Sequence, residues 1–195
     1  MRAYLRAIRA RSALGMVSSG NGSEEAVFRD YSLFYYQEEG QSWFDKSLKN
    51  KPQLLKGPCK LIGKAVKKSY FTGLEVLSVL NEQQGVMHVY DTVYKKSRLF
   101  IDRAFCKTPA RFPGQMYLLG TVIDVGDFLF TTGAGIPIDK ISPGGIEVIR
   151  TLERYTNQHE LSKPLSKHTS FKCATDVMGL CLKGGALKGH TVHYI

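Results

Sequence analysis

Cys173, Cys181, His190 and His193 are, by type, a complete tetrahedral zinc set of two thiolates and two imidazoles. Their spacing argues against a metal. Cys-x7-Cys lacks the tight knuckle that clamps zinc, and on one helix the two sulfurs sit about 12 Å apart by the rise per residue. The same separation excludes a Cys173–Cys181 disulfide. With Cys59 and Cys106, these thiols read as reduced side chains packed as small hydrophobes.

Other chemistry is thinner still. Asp124 and Asp127 resemble a carboxylate pair, but strand alternation sends them to opposite faces unless a turn lies between them. The glycines and Lys140 of "TTGAGIPIDKISPGG" suggest a phosphate cradle. That stretch lacks the G-K-[ST] ending that would set a lysine and a hydroxyl on nucleotide and magnesium. Nucleophile-elbow, zincin and dinucleotide-binding signatures do not occur. No catalytic residue and no cofactor is expected.

Charge is the more informative property. Twenty-seven Lys+Arg against 17 Asp+Glu leave a net charge of +10, which suits anionic lipid, RNA or an acidic protein surface. The first eleven residues, "MRAYLRAIRAR", carry four arginines, and no acid appears before Glu24. On a helix Arg2, Arg6 and Arg9 form a stripe beside Tyr4, Leu5 and Ile8. An arginine-rich, serine-containing, acid-free amphipathic start is the composition of a mitochondrial targeting segment. Such a charge is drawn by an inside-negative potential worth about 2.3 kcal/mol per 100 mV. A solvated helix and a permanent lipid- or RNA-binding arm are the competing readings.

A second basic feature runs from Lys46 to Leu74 without an acid. Lys56, Lys60, Lys64 and Lys68 recur every four residues and would line one side of a helix, with Leu61, Ile62, Ala65 and Val66 opposite. Like charges at this spacing repel by a few tenths of a kcal/mol per pair, so the stripe reads either as docking to phosphates or a partner's carboxylates or, equally, as a solvated face. Between the two basic features lies a dense aromatic cluster. Its members Tyr31, Tyr35, Trp43 and Phe44 read as core or as a protein interface, since these rings combine apolar area with a polar handle.

The elements that must position these residues follow from periodicity. A helix is expected to start at Ser23, and another to run over the lysine stripe with Pro58 in its first turn. Val86, Val89, Val93, Phe100 and Ala104 mark a helical face from 86 to 108, against a competing alternation in "VMHVYDTVY". "QMYLLGTVIDVGDFLFTT" predicts a short β-hairpin turning at Gly126-Asp127, followed by a loop. Helices are expected over about 146–158 and 171–182, then a glycine-rich end. No stretch offers the uncharged apolar length of a membrane-spanning helix.

The sequence thus predicts a mainly helical α+β fold: one compact domain over 23–183 with one short β-hairpin, a basic N-terminal extension over 1–22 and a tail over 184–195. The expected role is a non-catalytic accessory subunit of a large mitochondrial inner-membrane assembly, a respiratory-chain complex or the ATP synthase. Its partners would be the other subunits and anionic lipid head groups such as cardiolipin, on the matrix side or at the inner membrane. The alternative is a mitochondrial ribosomal protein contacting rRNA phosphates; the third is a small matrix enzyme.

Overall fold

The computed structural model describes residues 2–14, 22–57, 60–106, 116–157 and 165–183. The N-terminal part contains helices α1 (Arg2–Ala13) and α2 (Gly22–Phe34), a two-stranded ribbon of β1 (Gln37–Glu38) and β2 (Gln41–Ser42), and helices α3 (Trp43–Asn50) and α4 (Lys60–Lys67). Ser42 starts α3 by a capping box with Asp45, which satisfies two backbone N–H groups of the first turn.

The middle of the chain is governed by alternation. Strands β3 (Tyr70–Asn81), β4 (Val86–Asp91) and β5 (Lys96–Ile101) form an antiparallel meander, followed by the one-turn helix α5 (Arg103–Cys106). Strands β6 (Met116–Asp124) and β7 (Phe128–Thr131) make a hairpin, and β8 (Ile136–Asp139) adds to the first half of β6. β7 pairs in parallel with β5, and β6 pairs with β3. The ring β3-β4-β5-β7-β6 therefore closes into a five-stranded barrel. A meander, a helical turn and a returning hairpin whose last strand lies parallel to the third is the Greek-key connectivity of an OB-type barrel. Helices α6 (Pro143–Thr156) and α7 (Lys167–Lys183) are the last described elements.

Two cores result. Inward positions of the strands (Leu74, Val76, Met87, Val89, Phe100, Leu118, Val122, Leu129) fill the barrel. The alternate residues of β3, β6 and β8 (Phe71, Tyr117, Leu119, Ile136, Ile138) face outward and pack under α1, α2, α6 and α7. One sheet edge thus serves two cores, as strict period-two patterning requires.

The mainly helical expectation is overturned by the closed barrel and its six-stranded sheet. The 86–108 helix is replaced by β4, a turn, β5 and α5. Two features hid the strands. An inward-facing aspartate, Asp91, interrupts the apolar alternation, and the β4–β5 turn contains neither Gly nor Pro. Lys95 instead takes the left-handed conformation there, with φ 49°. The hairpin turning at Val125–Asp127 and the two C-terminal helices lie where periodicity placed them. The N-terminal helix is no loose arm: Ala10 and Leu14 are part of the helical core.

Candidate nucleic-acid interface

The helices cover the β3/β6/β8 side of the barrel; among the described residues the opposite side, β4-β5-β7, packs chiefly against its neighbouring strands. Pairing registers arrange its outward side chains in rows. Glu75, Tyr90 and Ser97 form one row, Ser78, His88, Leu99 and Phe128 the next, and Val86, Ile101 and Phe130 the third. Rows lie two residues apart along the strands, about 7 Å. Tyr90, Leu99, Phe128 and Phe130 are half-buried and belong to neither core. Two exposed leucines from the irregular end of β3, Leu77 and Leu80, border this face. Aromatic rings on a sheet face are one kind of surface on which bases can stack, because every base presents a π-face.

The rim of the face is built by a buried carboxylate. Asp91 Oδ1 accepts hydrogen bonds from Val93 N at 3.0 Å, Tyr94 N at 3.3 Å and Thr72 Oγ1 at 2.7 Å, while Tyr70 donates its hydroxyl to Oδ2. This side-chain turn presents Tyr94, Lys95 and Lys96 at one end of the barrel. The Tyr94 ring stands edge-on to Tyr70, with centroids 4.8 Å apart, and the Lys96 ammonium lies 5.4 Å from its centre. Burial, followed by the charge of Asp91, raises the Tyr94 hydroxyl above its ordinary pKa.

At the same end, Arg98 holds Asp124 through contacts of 2.8 and 3.2 Å and bonds the Gly126 carbonyl at 2.9 Å. Burial works to raise the Asp124 carboxyl. The Arg98 hydrogen bonds, the Gly126 N–H and the guanidinium charge outweigh it, and its pKa falls below the usual range. On the face itself, Lys140 Nζ sits 2.5 Å from Glu75 Oε1. Glu75 and Asp124 are thus paired with cations of the fold, while Asp127, next to Phe128, is exposed and Asp102 accepts from Thr131. Lys95 and Lys96, and Lys60, Lys64, Lys67 and Lys68 in and just after α4, are exposed, and none forms an ion pair among the described residues.

The residues singled out from sequence fare unevenly. Arg6 is only 3% exposed. It donates to Glu38 Oε2 at 3.0 Å and to the Tyr36 carbonyl at 2.6 Å, and lies 5.1 and 5.5 Å from the Tyr36 and Trp43 ring centres. It is a structural clamp and does not reach an outside anion. Arg9 is open to solvent and 3.7 Å from Glu38; the Arg2 side chain lies outside the described residues. Lys56, Lys60, Lys64 and Lys68 are all exposed, but α4 begins only at Lys60, so the four do not share one helix.

Tyr31 and Tyr35 are core residues, bonded to Thr175 and Thr121; Phe44 packs against Phe34, and Trp43 stays open. Cys173 and Cys181 both point into the helical core, where burial pushes each thiol up to about 12. His190 and His193 lie outside the described residues, as does Cys59. Among the described residues, no three metal-binding groups come together.

The face residues Tyr90, Phe128 and Phe130 were missed because the sequence places Tyr90 in a helical pattern and leaves the partners of the hairpin unknown. The available signal was the alternation of "VMHVYD", which sets Val86, His88 and Tyr90 on one side. Neither a family model nor a curated protein nor a solved structure matches this chain. The class is defined by topology alone, an OB-type barrel with a helical layer on one side, and function rests on the site.

Proposed function

We propose that this protein is a non-catalytic binder of single-stranded nucleic acid, with the strand lying across β4-β5-β7. The observation that carries the reading is the outward sheet face on which Tyr90, His88, Phe128 and Phe130 stand in successive rows, half-buried and outside both cores, with Glu75 and Asp124 paired to Lys140 and Arg98. Bases stack on the rings and exposed lysines at the rim hold phosphates. OB-type barrels use the face of their second and third strands for this purpose, here β4 and β5.

The test is fluorescence anisotropy with labelled single-stranded and duplex oligonucleotides at two salt concentrations. The single strand binds more tightly, and the affinity falls steeply with salt through counterion release. Tyr90→Ala and Phe128→Ala each weaken binding roughly 5- to 150-fold, the equivalent of about 1–3 kcal/mol per stacked base. Equal binding by wild type and both variants overturns the reading.

Membership of a large mitochondrial assembly is a second reading, compatible with the first if that assembly contains RNA, as a ribosome does. It rests on the acid-free arginine-bearing start and on exposed Trp43, Leu61 and Ile141, which suit a protein neighbour. Among the described residues no helix is long and apolar enough to cross a membrane. Co-migration in mild detergent, with and without ribonuclease, tests it: a free monomer under both conditions removes the assembly.

A further inference from the structure

Beside the aromatic face, at the end of the barrel where β4 turns into β5, lies a cleft of about 1020 Å³ between α4, the Tyr94 turn and the Val125–Gly126 turn. Its walls include rings and cations beside the apolar Leu61, Val66, Val125 and Leu165. Tyr94, Phe34 and Phe44 supply rings, and Lys64, Lys67 and Lys68 supply ammonium groups. The two carboxylates in its lining are already engaged: Asp124 by Arg98, and Asp45 in the cap of α3. The lining is therefore positive and partly aromatic. An all-apolar occupant would leave the three exposed ammonium groups to water alone, and a cationic one would be repelled. The chemistry that satisfies both walls is a phosphodiester with an attached base.

We infer that this cleft is the second half of the binding track, taking the nucleotides that follow those on the sheet face. One base lies against Tyr94, and the backbone phosphates lie along Lys64, Lys67 and Lys68. The inference rests on the single-strand reading above and deepens it, because it assigns the short basic helix α4 to the site. It also gives the β4–β5 turn a role at the junction of face and cleft: Lys96 sits over the Tyr94 ring, and Tyr94 lines the cleft. A strand spanning both parts occupies more nucleotides than the face alone, within the range of roughly 4–16 per barrel of this kind.

The experiment compares a short oligonucleotide of about four nucleotides with one of about twelve, both ends of that range. Binding of each is measured against salt for the wild type, for Lys64→Gln/Lys67→Gln/Lys68→Gln, and for Tyr94→Leu. A control, Arg150→Gln/Arg154→Gln/Lys172→Gln, removes the same charge from exposed sites on α6 and α7. For the long strand, the α4 triple variant loses about 2 from the log–log salt slope, three phosphates at roughly 0.7 each. The control changes it less, and the short strand responds alike to wild type and α4 variant. Tyr94→Leu weakens only the long strand.

Equal slopes for wild type and α4 variant on the long strand overturn the cleft assignment while leaving the face intact, provided Tyr90→Ala still weakens binding. If neither oligonucleotide binds the wild type, both readings fall. If polyglutamate competes for the α4-dependent part as well as the oligonucleotide does, the cleft is a general acidic-peptide site and the nucleotide assignment falls.

Discussion

Arg98 on β5 and Asp124 at the end of β6, 26 residues apart, meet in a two-pronged ion pair that ties the β6–β7 turn to the middle of the barrel. The Arg98 side chain is 9% exposed and that of Asp124 27%, so the pair is partly shielded from water. Arg98→Met leaves the carboxylate and the Gly126 carbonyl without their donor. Its expected cost is about 1.5–3 kcal/mol, the range for hydrogen bonds to a charged group. The lowered pKa of Asp124 means that its contribution is present above the ordinary carboxylate pKa and is lost as pH falls through the lower folded value. Denaturant titrations of both proteins should therefore differ at neutral pH and converge in strong acid.

Asp30 has the opposite sign. It lies 6% exposed on α2, accepting a hydrogen bond from Thr121, whose oxygen in turn accepts from Tyr35 Oη at 3.0 Å. Burial raises its carboxyl to about 6, against the lowering effect of hydrogen bonds from Thr121 and Thr132. The folded state thus binds this proton more tightly than the unfolded chain. Stability from this site is full below pH 3.8 and declines as pH rises through about 6. Asp30→Asn keeps an acceptor for Thr121 and removes the charge. It is expected to stabilise the protein by about 2–3 kcal/mol at pH 8, with little effect at pH 4, in thermal melts at the two pH values.

Gly73 exists to admit Tyr117. A Cβ at Gly73 would lie 2.1 Å from Tyr117 Cε1, and the ring is held in place by a hydrogen bond between its hydroxyl and Thr92 Oγ1. Gly73→Ala must displace a buried side chain and is expected to cost about 1–3 kcal/mol or more. A Gly73→Ala/Tyr117→Leu double variant frees the space and should recover part of the loss, which a double-mutant cycle by chemical denaturation measures. Full additivity would show that the ring and the glycine do not share this space.

The thiols of Cys173 and Cys181 should be inert in the native state. Both are fully buried, and burial raises each to about 12, so almost no thiolate is present at neutral pH. Alkylation followed by peptide mass spectrometry should label them only above the unfolding transition. Rapid labelling of either in the native protein would contradict their packing in the helical core.

Local chemistry was legible wherever one segment decides its own structure. The β6–β7 hairpin, the helices α6 and α7 and the acid-free basic stretches could be read from spacing and composition. What misled was the stretch from Val86 to Ile101. Val86, Val89, Val93 and Phe100 keep helical intervals by coincidence, because an inward Asp91 and a glycine-free turn break the strand pattern between them. The value of Asp91 as a turn-builder appears only when Tyr70 and Thr72 arrive from β3 to satisfy its oxygens.

The candidate site divides the same way. Composition and order alone set the excess of positive charge, the clustering of lysines near α4 and the content of aromatic rings. It could not say which cations face outward: Arg6, from the most basic segment, is buried against Glu38 and two rings, while Lys64 and Lys67 stay open. Nor could it bring Phe128 beside Leu99 in the row of His88, since that neighbourhood depends on the parallel pairing of β5 with β7. Barrel closure is a long-range event, in which strands far apart in sequence satisfy each other's backbone groups. Only the tertiary structure decides which side of the closed sheet the helices cover, and so which residues remain free to meet a ligand.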